Sequence, residues 1–453
     1  MTSRTFMTIT HRLPSPDTWH AEGLRLRRLP LARWALGALL AVLLAVSIPA
    51  GLDARAWRQA AAADALRIDE LQGQAVAQFQ QTAPGPAAAQ ATYQLGRGEL
   101  GATRMPVADG LALGIRRLDV LPAREKATLD SRQVDARPLG PLRNPLLTDT
   151  GLPGVPAMVA LLLPLVALVL CAGLLQEERE QGRLGLLRVQ ARHGLGPAIT
   201  AALGWRWLAV SVVAMLGTLP ALALDPGASV AVGAAWLLAL AGFCAVWVVL
   251  GGLLSWLPVS GATAMLTALG AWLLLTFAVP SGLAAIARDE APMPSRMAAI
   301  VDIRDAQQDS EEREDALARD WYARHPAVPA TLPAAWPASF VPRVLEQDRR
   351  LRPLMRRFED SRLRQAAFVE RWSWLSPGLA LVLTGERLAG TDTASHVEYL
   401  RDVEAFEDRW RAFLVPRVMD RRGLSAAEMA ALPRFEPEST PPAMPLPPTP
   451  ASR

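Results

Sequence analysis

An apolar stretch that ends abruptly in charge constrains this 453-residue chain more than any other feature. Residues 155–175 are apolar throughout, and no charged residue occurs between Asp149 and Glu177. A helix rises about 1.5 Å per residue, so about 20 apolar residues cross the hydrocarbon of a bilayer. Because such a helix is apolar on every side, it needs lipid or a large core around it. The sequence therefore predicts a membrane span here.

The residues that follow this span predict which side of the membrane it ends on. Residues 176–192 are dense in charge and carry four arginines. Short loops rich in arginine are typical of the cytoplasmic side. An earlier apolar run, Trp34 to Leu52, follows a cluster of arginines at positions 25, 27 and 28. We interpret it as a retained anchor whose N-terminus is inside, in preference to a cleaved signal peptide.

Three further spans are predicted, at Trp207–Leu224, at about 229–255 and at about 260–282. The chain carries no charge from Pro226 to Ala287, and glycines and a proline near residue 258 mark a hairpin within that run. The predicted fold class is an all-α polytopic membrane protein with about five transmembrane helices and two large, mainly helical extracytoplasmic regions. The predicted divisions are a cytoplasmic N-terminus (1–30), span one (31–52), extracytoplasmic region one (53–154), spans two to five (155–282) with a cytoplasmic coupling loop (176–206), extracytoplasmic region two (283–435) and a disordered Pro-rich tail (436–453).

Patterns within the two large regions predict their local structure. Helical spacing continues the first span to about Gln81, where a Pro-Gly-Pro sequence ends it. The apolar pieces 111–115 and 118–121 are predicted to be brief strands or extended segments. Ser395-x-x-Glu398 is predicted to cap a long helix, and the pattern from Ile300 to Trp321 is assigned to one helix. The apolar piece 374–383 is too short to cross and is expected at the membrane surface or in a core.

Several function classes are excluded by motifs that the sequence lacks. It contains no Gly-x-x-x-x-Gly-Lys-Ser/Thr, no His-Glu-x-x-His and no Gly-x-Ser-x-Gly with triad partners. The five predicted span interiors carry no ionisable residue, unlike those of ion-coupled transporters and intramembrane proteases. The net charge of +4 and the scattered basic residues do not suggest nucleic acid as a partner. Cys171 and Cys244 fall in apolar spans and are expected to be buried thiols. We therefore expect no enzyme activity on this chain.

The charged segment from Glu177 to Arg192 has two interpretations from its pattern. One is a helix end whose long side chains extend towards water and form ion pairs three or four residues apart, such as Glu180 with Arg183. The other is a short cytoplasmic helix that binds another protein and transmits its motion to the spans. Residue spacing leaves both open.

A resemblance to a known family favours the second interpretation. Leu162-Leu-Pro-Leu165 in the span, followed by Glu178-Arg-Glu-Gln-Gly182 and Leu184-Gly-Leu-Leu187, resembles an element of type-two ABC transporter permeases. Further motifs resemble those of a subgroup of these permeases that has large extracytoplasmic insertions and is described as a domain of unknown function. They are Asn144-Pro-Leu, Pro294-Ser-Arg296, Tyr322-x-x-His-Pro326, Leu375-Ser-Pro377 and Ala389-Gly-Thr-Asp392.

The resemblance implies a permease subunit of an ABC exporter in the bacterial cytoplasmic membrane. Such a subunit pairs with a second permease, or with its own copy, and with separate ATP-binding subunits that hold the ATP, so no cofactor is expected on this chain. Arg183 departs from the family, which usually has threonine there. The subgroup also ends in a sixth span where this chain has its Pro-rich tail, so region two would be attached to the membrane only through span five. The residues that would couple to the ATPase are Glu178, Glu180, Gly182, Arg183 and Leu187.

An alternative function remains open from the sequence. A membrane sensor or assembly scaffold, with extracytoplasmic regions that bind a partner, would need neither transport nor nucleotide hydrolysis.

Overall fold

The computed structural model describes residues 14–132, 153–185 and 195–437. Within them nearly all regular structure is helical, and a small antiparallel sheet pairs Ala102–Arg104 with Arg124–Lys126. In chain order the helices are α1 (Pro16–Arg28), α2 (Pro30–Gln81), α3 (Pro86–Gly96), α4 (Leu111–Gly114), α5 (Val155–Cys171), α6 (Gln176–Glu180), α7 (Gly196–Leu224), α8 (Val230–Ser255), α9 (Gly261–Leu273), α10 (Val279–Glu290), α11 (Arg296–Glu312), α12 (Glu314–Arg324), α13 (Phe340–Trp372), α14 (Pro377–Ala389) and α15 (Thr393–Met419).

Four stretches of helix are long and apolar enough to cross a membrane: α2, α7, α8 and the continuous pair α9–α10, which a π turn joins. They coincide with predicted spans one, three, four and five, so the fold is compatible with a multi-pass membrane protein. The second predicted span is shorter than expected. Helix α5 has 17 residues and rises about 25 Å. Most of this helix is covered by neighbouring helices, so it does not have to present an apolar surface to lipid along the full thickness of a bilayer.

Helix α5 lies at the centre of the apolar bundle and contacts α2, α7, α8, α9 and α14. Small residues allow close approach of these helices. At Gly251 on α8, an added Cβ would lie 2.6 Å from the Cβ of Cys171 at the end of α5. At Gly217 on α7, it would lie 2.7 Å from the Cβ of Leu43 on α2. Cys171 and Cys244 are buried free thiols, as the sequence predicts.

The bundle has two distinct ends. We call the end formed by residues 176–185 and 256–261 the loop side. At the other end, residues 64–132, 296–369 and 390–437 form the head. Helix α2 contributes to both the bundle and the head, because it continues without a break to Gln81, as its helical spacing predicts.

The head has one shared core rather than two separate regions. Phe79 and Tyr93 from the first region pack in the same apolar cluster as Tyr322 and Trp410 from the second. The indole of Trp410 donates a hydrogen bond to the carbonyl of Gly96 at 3.0 Å. The expectation that the second region is attached only through span five is therefore wrong.

Helix α14 provides a further connection between the head and the bundle. It packs against α5 and α8, and its glycines make the close approaches. A Cβ added at Gly385 would lie 2.4 Å from Cγ of Pro156, and one added at Gly378 would lie 3.4 Å from Cβ of Ala160. The apolar piece 374–383 is therefore divided: residues 376–383 pack against the bundle core, one of the two predicted places, whereas Trp374 and Leu375 are exposed.

Several local expectations are corrected. Residues 111–114 form a buried helical turn and 115–119 a 3-10 turn, where the sequence predicts brief strands or extended segments. A short apolar run buried on all sides does not distinguish helix from strand. The cap of α15 is Asp392, whose Oδ1 accepts hydrogen bonds from the backbone N–H groups of Ala394 and Ser395 at 3.0 and 3.2 Å, and not the Ser395-x-x-Glu398 box. An ionised aspartate is a strong N-cap and fixes the earlier start.

The helix predicted from Ile300 to Trp321 is in fact two helices. α11 ends at Glu312 and α12 begins at Glu314, with Arg313 between them outside helical geometry. Glu314 and Asp315 lie in the first turn of α12, where negative charge is favourable and stabilises a new helix start.

Candidate functional site

The segment after α5 binds the turn between α8 and α9 on the loop side. Gln176 donates from Nε2 to the carbonyl of Leu254 at 3.1 Å, and Arg179 donates from Nη1 to the carbonyl of Leu257 at 2.6 Å. Glu180 Oε1 accepts a hydrogen bond from the backbone N–H of Gly261, the first residue of α9, at 2.7 Å. A carboxylate at a helix N-terminus is favourable because the free N–H groups carry partial positive charge.

Glu178 connects the same segment to the N-terminal helix. Its carboxylate is nearly inaccessible to solvent and lies 2.6 Å from Nη2 of Arg25 on α1 and 3.4 Å from Nε of Arg183. Helix α1 in turn packs on the start of α7, where the Trp205 indole donates to the Trp19 carbonyl at 2.7 Å. We call the contacts of Gln176, Glu178, Arg179 and Glu180 the loop-side clamp.

The residues proposed for coupling thus occupy different environments. Glu178 faces inward and joins helices, whereas Glu180 lies at the surface against α9. Gly182 has a φ of +67°, which favours glycine, and it turns the chain at the exposed edge of the segment. Arg183 is also at that edge, with its side chain 57% exposed. Leu187 lies outside the described residues.

A buried arginine was missed by the sequence analysis. Helix α7 begins at Gly196, so Arg206 lies within it and not at its boundary. Arg206 is 4% exposed, and its guanidinium donates to the carbonyls of Leu170 at 2.7 Å and Ala202 at 2.9 Å. It therefore satisfies a carbonyl in the last turn of α5. Span three is predicted to begin at Trp207, directly after this charge; the helix extends further towards the N-terminus, and the burial of Arg206 within it was not predicted.

A second buried charge joins the bundle to the head. Arg58 on α2 donates from Nε to Oδ1 of Asp225 at 2.6 Å and from Nη2 to the carbonyl of Ala108 at 2.9 Å. The Asp225 carboxylate is fully buried and also accepts from the backbone N–H of Gly227 at 3.0 Å. This contact fixes the α7–α8 turn and the head backbone at Ala108 to one point on α2.

The head contains a cleft of about 680 Å³ between α12, α13 and α15. A buried ion network forms its floor. Arg411 lies 3.0 Å from both Asp348 and Glu407, and Arg352 lies 2.8 Å from Asp348. Burial opposes the charge of Asp348, but Arg411 and Arg352 hold its pKa below the ordinary value. Burial raises the pKa of Glu407 despite the same arginine. The network fixes α13 to α15.

Comparison with known families gives one match, in the C-terminal part of the chain. A family model described as a domain of unknown function, DUF3526, matches residues 296–438. No curated protein and no solved structure matches the chain. The DUF3526 match begins with α11 and includes α14, the helix that packs into the bundle. The matched region therefore includes part of the apolar bundle as well as the head.

Motifs quoted from the DUF3526 region have identifiable structural roles. The Tyr322 hydroxyl donates to the carbonyl of Met419 at 2.8 Å, and His325 stacks on Trp321 with ring centroids 4.0 Å apart. Gly390 ends α14 with a φ of +64°, and Asp392 caps the next helix. These residues form helix ends and core contacts.

Proposed function

We propose that this chain is the membrane-spanning permease subunit of an ABC-type exporter in a bacterial cytoplasmic membrane. In this proposal ATP is bound and hydrolysed by a separate subunit, and a second permease or a second copy completes the transporter. The loop side faces the cytoplasm and the head faces outward. The positions of the arginines support this orientation, since residues 25–33 and 176–185 are short segments with several arginines on the loop side.

The loop-side clamp is the observation that carries the proposal. A force applied to the exposed edge at Gly182 and Arg183 would reach α5 through the short stretch of chain that joins it to Gln176. It would reach α8 through the hydrogen bond of Gln176 with the Leu254 carbonyl. It would reach α9 through the contact of Glu180 with Gly261, and α1 through the ion pair of Glu178 with Arg25. Closure of an ATPase against this edge would thereby move several spans together. Transport by alternating states needs such a rigid-body change.

Purification from native membranes in mild detergent tests the proposal. We expect an ATPase to copurify with the wild-type chain and less of it to copurify with Arg183→Glu. Arg183→Gln should give an intermediate result, because it removes the charge without reversing it. Arg319→Glu on the exposed face of α12 is the matched control and should retain the ATPase. Absence of any ATPase with wild type, or equal recovery with Arg183→Glu, would contradict the proposal.

Orientation has an independent test. Reporter fusions after residue 100 in the head and after residue 185 on the loop side should report opposite sides of the membrane. Fusions that report the same side would contradict the topology and with it the proposed contact with a cytoplasmic ATPase.

A membrane sensor or scaffold is the second candidate function. The cleft in the head favours it, because a volume of about 680 Å³ is large enough for a ligand and needs no transport path. The two functions differ in their need for nucleotide hydrolysis. If the Walker lysine of the copurifying ATPase is replaced and the phenotype of the strain does not change, the sensor is favoured over the exporter.

A further inference from the structure

The chain between α13 and α14 turns back at the depth of the apolar helices. We call residues 370–389 the hairpin; a 3-10 turn, Ser373–Leu375, forms its tip. Ser376 follows the tip, and its hydroxyl donates to the carbonyl of Leu275 at 2.6 Å. Leu275 lies near the middle of the continuous α9–α10 helix, in the π turn. The tip is therefore level with the interior of a helix long enough to cross a membrane, and not with the end of that helix at Glu290.

The polar groups of the tip are satisfied within the protein. The Ser376 hydroxyl that donates to Leu275 also accepts from the backbone N–H of Leu379 at 3.2 Å, which caps α14. The Ser373 hydroxyl donates to the carbonyl of Glu370 at 2.8 Å, and the N–H of Ser376 donates to the carbonyl of Ser373 at 3.0 Å. A π turn leaves a carbonyl outside the regular helical pattern, and here Ser376 uses one. Irregular backbone at membrane depth requires such internal partners.

The outer face of the tip is apolar and aromatic. The side chains of Trp374 and Trp372 are exposed by 66% and 38%, and Leu375 is exposed as well. Leu274 and Phe277 on the adjoining π turn are also exposed. The tip thus extends the apolar surface of α9–α10. In the most apolar stretch of that helix only 11% is buried in the protein.

Charged residues occur at the neck of the hairpin and not at its tip. Glu370 pairs with Arg387 across the two arms at 3.3 Å, and Arg371 is exposed beside them. A tryptophan pair next to charged residues is typical of the membrane interface, because the indole is largely apolar while its N–H can reach polar headgroups. Among the possible occupants of this face, this order of residues favours lipid.

We propose that the hairpin is re-entrant and that Trp372, Trp374 and Leu375 insert into the lipid leaflet on the head side. The occupant of this exposed face is phospholipid, with acyl chains against the tip and headgroups against Glu370, Arg371 and Arg387. The DUF3526 region thereby has its own attachment to the membrane, besides the spans that precede it. This inference depends on the membrane location of α9–α10 and not on the proposed transport function.

Site-directed spin labelling of the full chain in phosphatidylcholine–phosphatidylglycerol nanodiscs tests the proposal. A nitroxide is attached to Trp374→Cys, and its collision rates with oxygen, which concentrates in lipid, and with a water-soluble nickel chelate are measured. Both native cysteines are buried, so the wild-type chain is the unlabelled control. We expect the ratio of oxygen to nickel collisions to be several-fold higher at 374 than at Trp336→Cys, a tryptophan on the head that is 47% exposed. Leu274→Cys provides the lipid-facing reference.

Each result decides the question. A ratio at 374 close to that at 274 supports insertion into lipid. A ratio like that at 336 places the tip in water and overturns the proposal. Low collision rates with both reagents would show that protein covers the tip, which also overturns it, and a disulfide-linked dimer of unlabelled Trp374→Cys would then identify a second copy as the occupant.

Discussion

Replacement of Gly385 by alanine should weaken the attachment of the hairpin to the bundle. The new Cβ would lie 2.4 Å from Cγ and 3.1 Å from Cβ of Pro156, and 3.6 Å from the indole of Trp236. Non-bonded carbons rarely come closer than about 3.4 Å, so α14 would have to move by about 1 Å. The proline ring is rigid and begins a buried helix, so it cannot move aside as a flexible side chain could.

The magnitude follows from comparison with a second glycine. Overpacking of this kind costs about 1–3 kcal/mol, but an alanine within a helix also gains about 0.5–1 kcal/mol over glycine. Gly282→Ala on α10 gives that gain alone, because nothing lies within 4 Å of its added Cβ. We therefore expect Gly385→Ala to be less stable than Gly282→Ala by about 1–3 kcal/mol. Gly378→Ala, whose nearest contact is 3.4 Å, should lie between them.

Equilibrium unfolding in mixed micelles, followed by tryptophan fluorescence, measures the three variants against wild type. The expected order of unfolding free energy is Gly282→Ala, then Gly378→Ala, then Gly385→Ala. If Gly385→Ala matches Gly282→Ala, α14 does not pack on α5 as described, and the argument for a head joined to the bundle at this point is refuted.

Two predictions concern the buried charges of the head. Arg411→Ala should lower the free energy of unfolding by about 3–5 kcal/mol, because it leaves Asp348 and Glu407 buried without their shared guanidinium. The control is Arg349→Ala, which removes an exposed ion pair with Glu346 and should lower the free energy of unfolding by less than about 1 kcal/mol in the same assay. Burial lowers the pKa of His396 in the folded chain, so the unfolded chain binds more protons and stability should fall as pH drops below about 6.5. Between pH 7.5 and pH 5.5 the free energy of unfolding should fall less for His396→Gln than for wild type. An equal fall in both would show that His396 does not cause the pH dependence.

The spans were largely predictable because lipid imposes a strict condition on sequence. A charge-free run long enough to cross identifies α8 and α9–α10 without knowledge of their neighbours. The end of α2 at Gln81 was also predictable, since the Pro-Gly-Pro sequence that follows cannot continue a helix. Arg206 was not, because a buried arginine needs carbonyl partners that only the packing of α7 against α5 provides.

The connections between elements were beyond the reach of local pattern. The spacing of Glu178 and Glu180 predicts a charged helix end, but their partners, Arg25 and Gly261, are 153 and 81 residues away. Likewise the short apolar piece in α14 has the same composition whether it covers a core or lies on a surface. Its glycines carried a signal, because two of them in one short helix permit close contact with another helix.

The position of α14 has a practical consequence for anyone who divides this chain. The DUF3526 match suggests a cloning boundary at residue 296, yet a fragment begun there would carry away a helix on which α5 and α8 rely. The severed bundle would present Pro156 and Trp236 to lipid or detergent, and the excised fragment would expose the apolar side of α14 to water. Sequence boundaries and folding units do not coincide in this protein, and expression trials should keep both parts on one polypeptide.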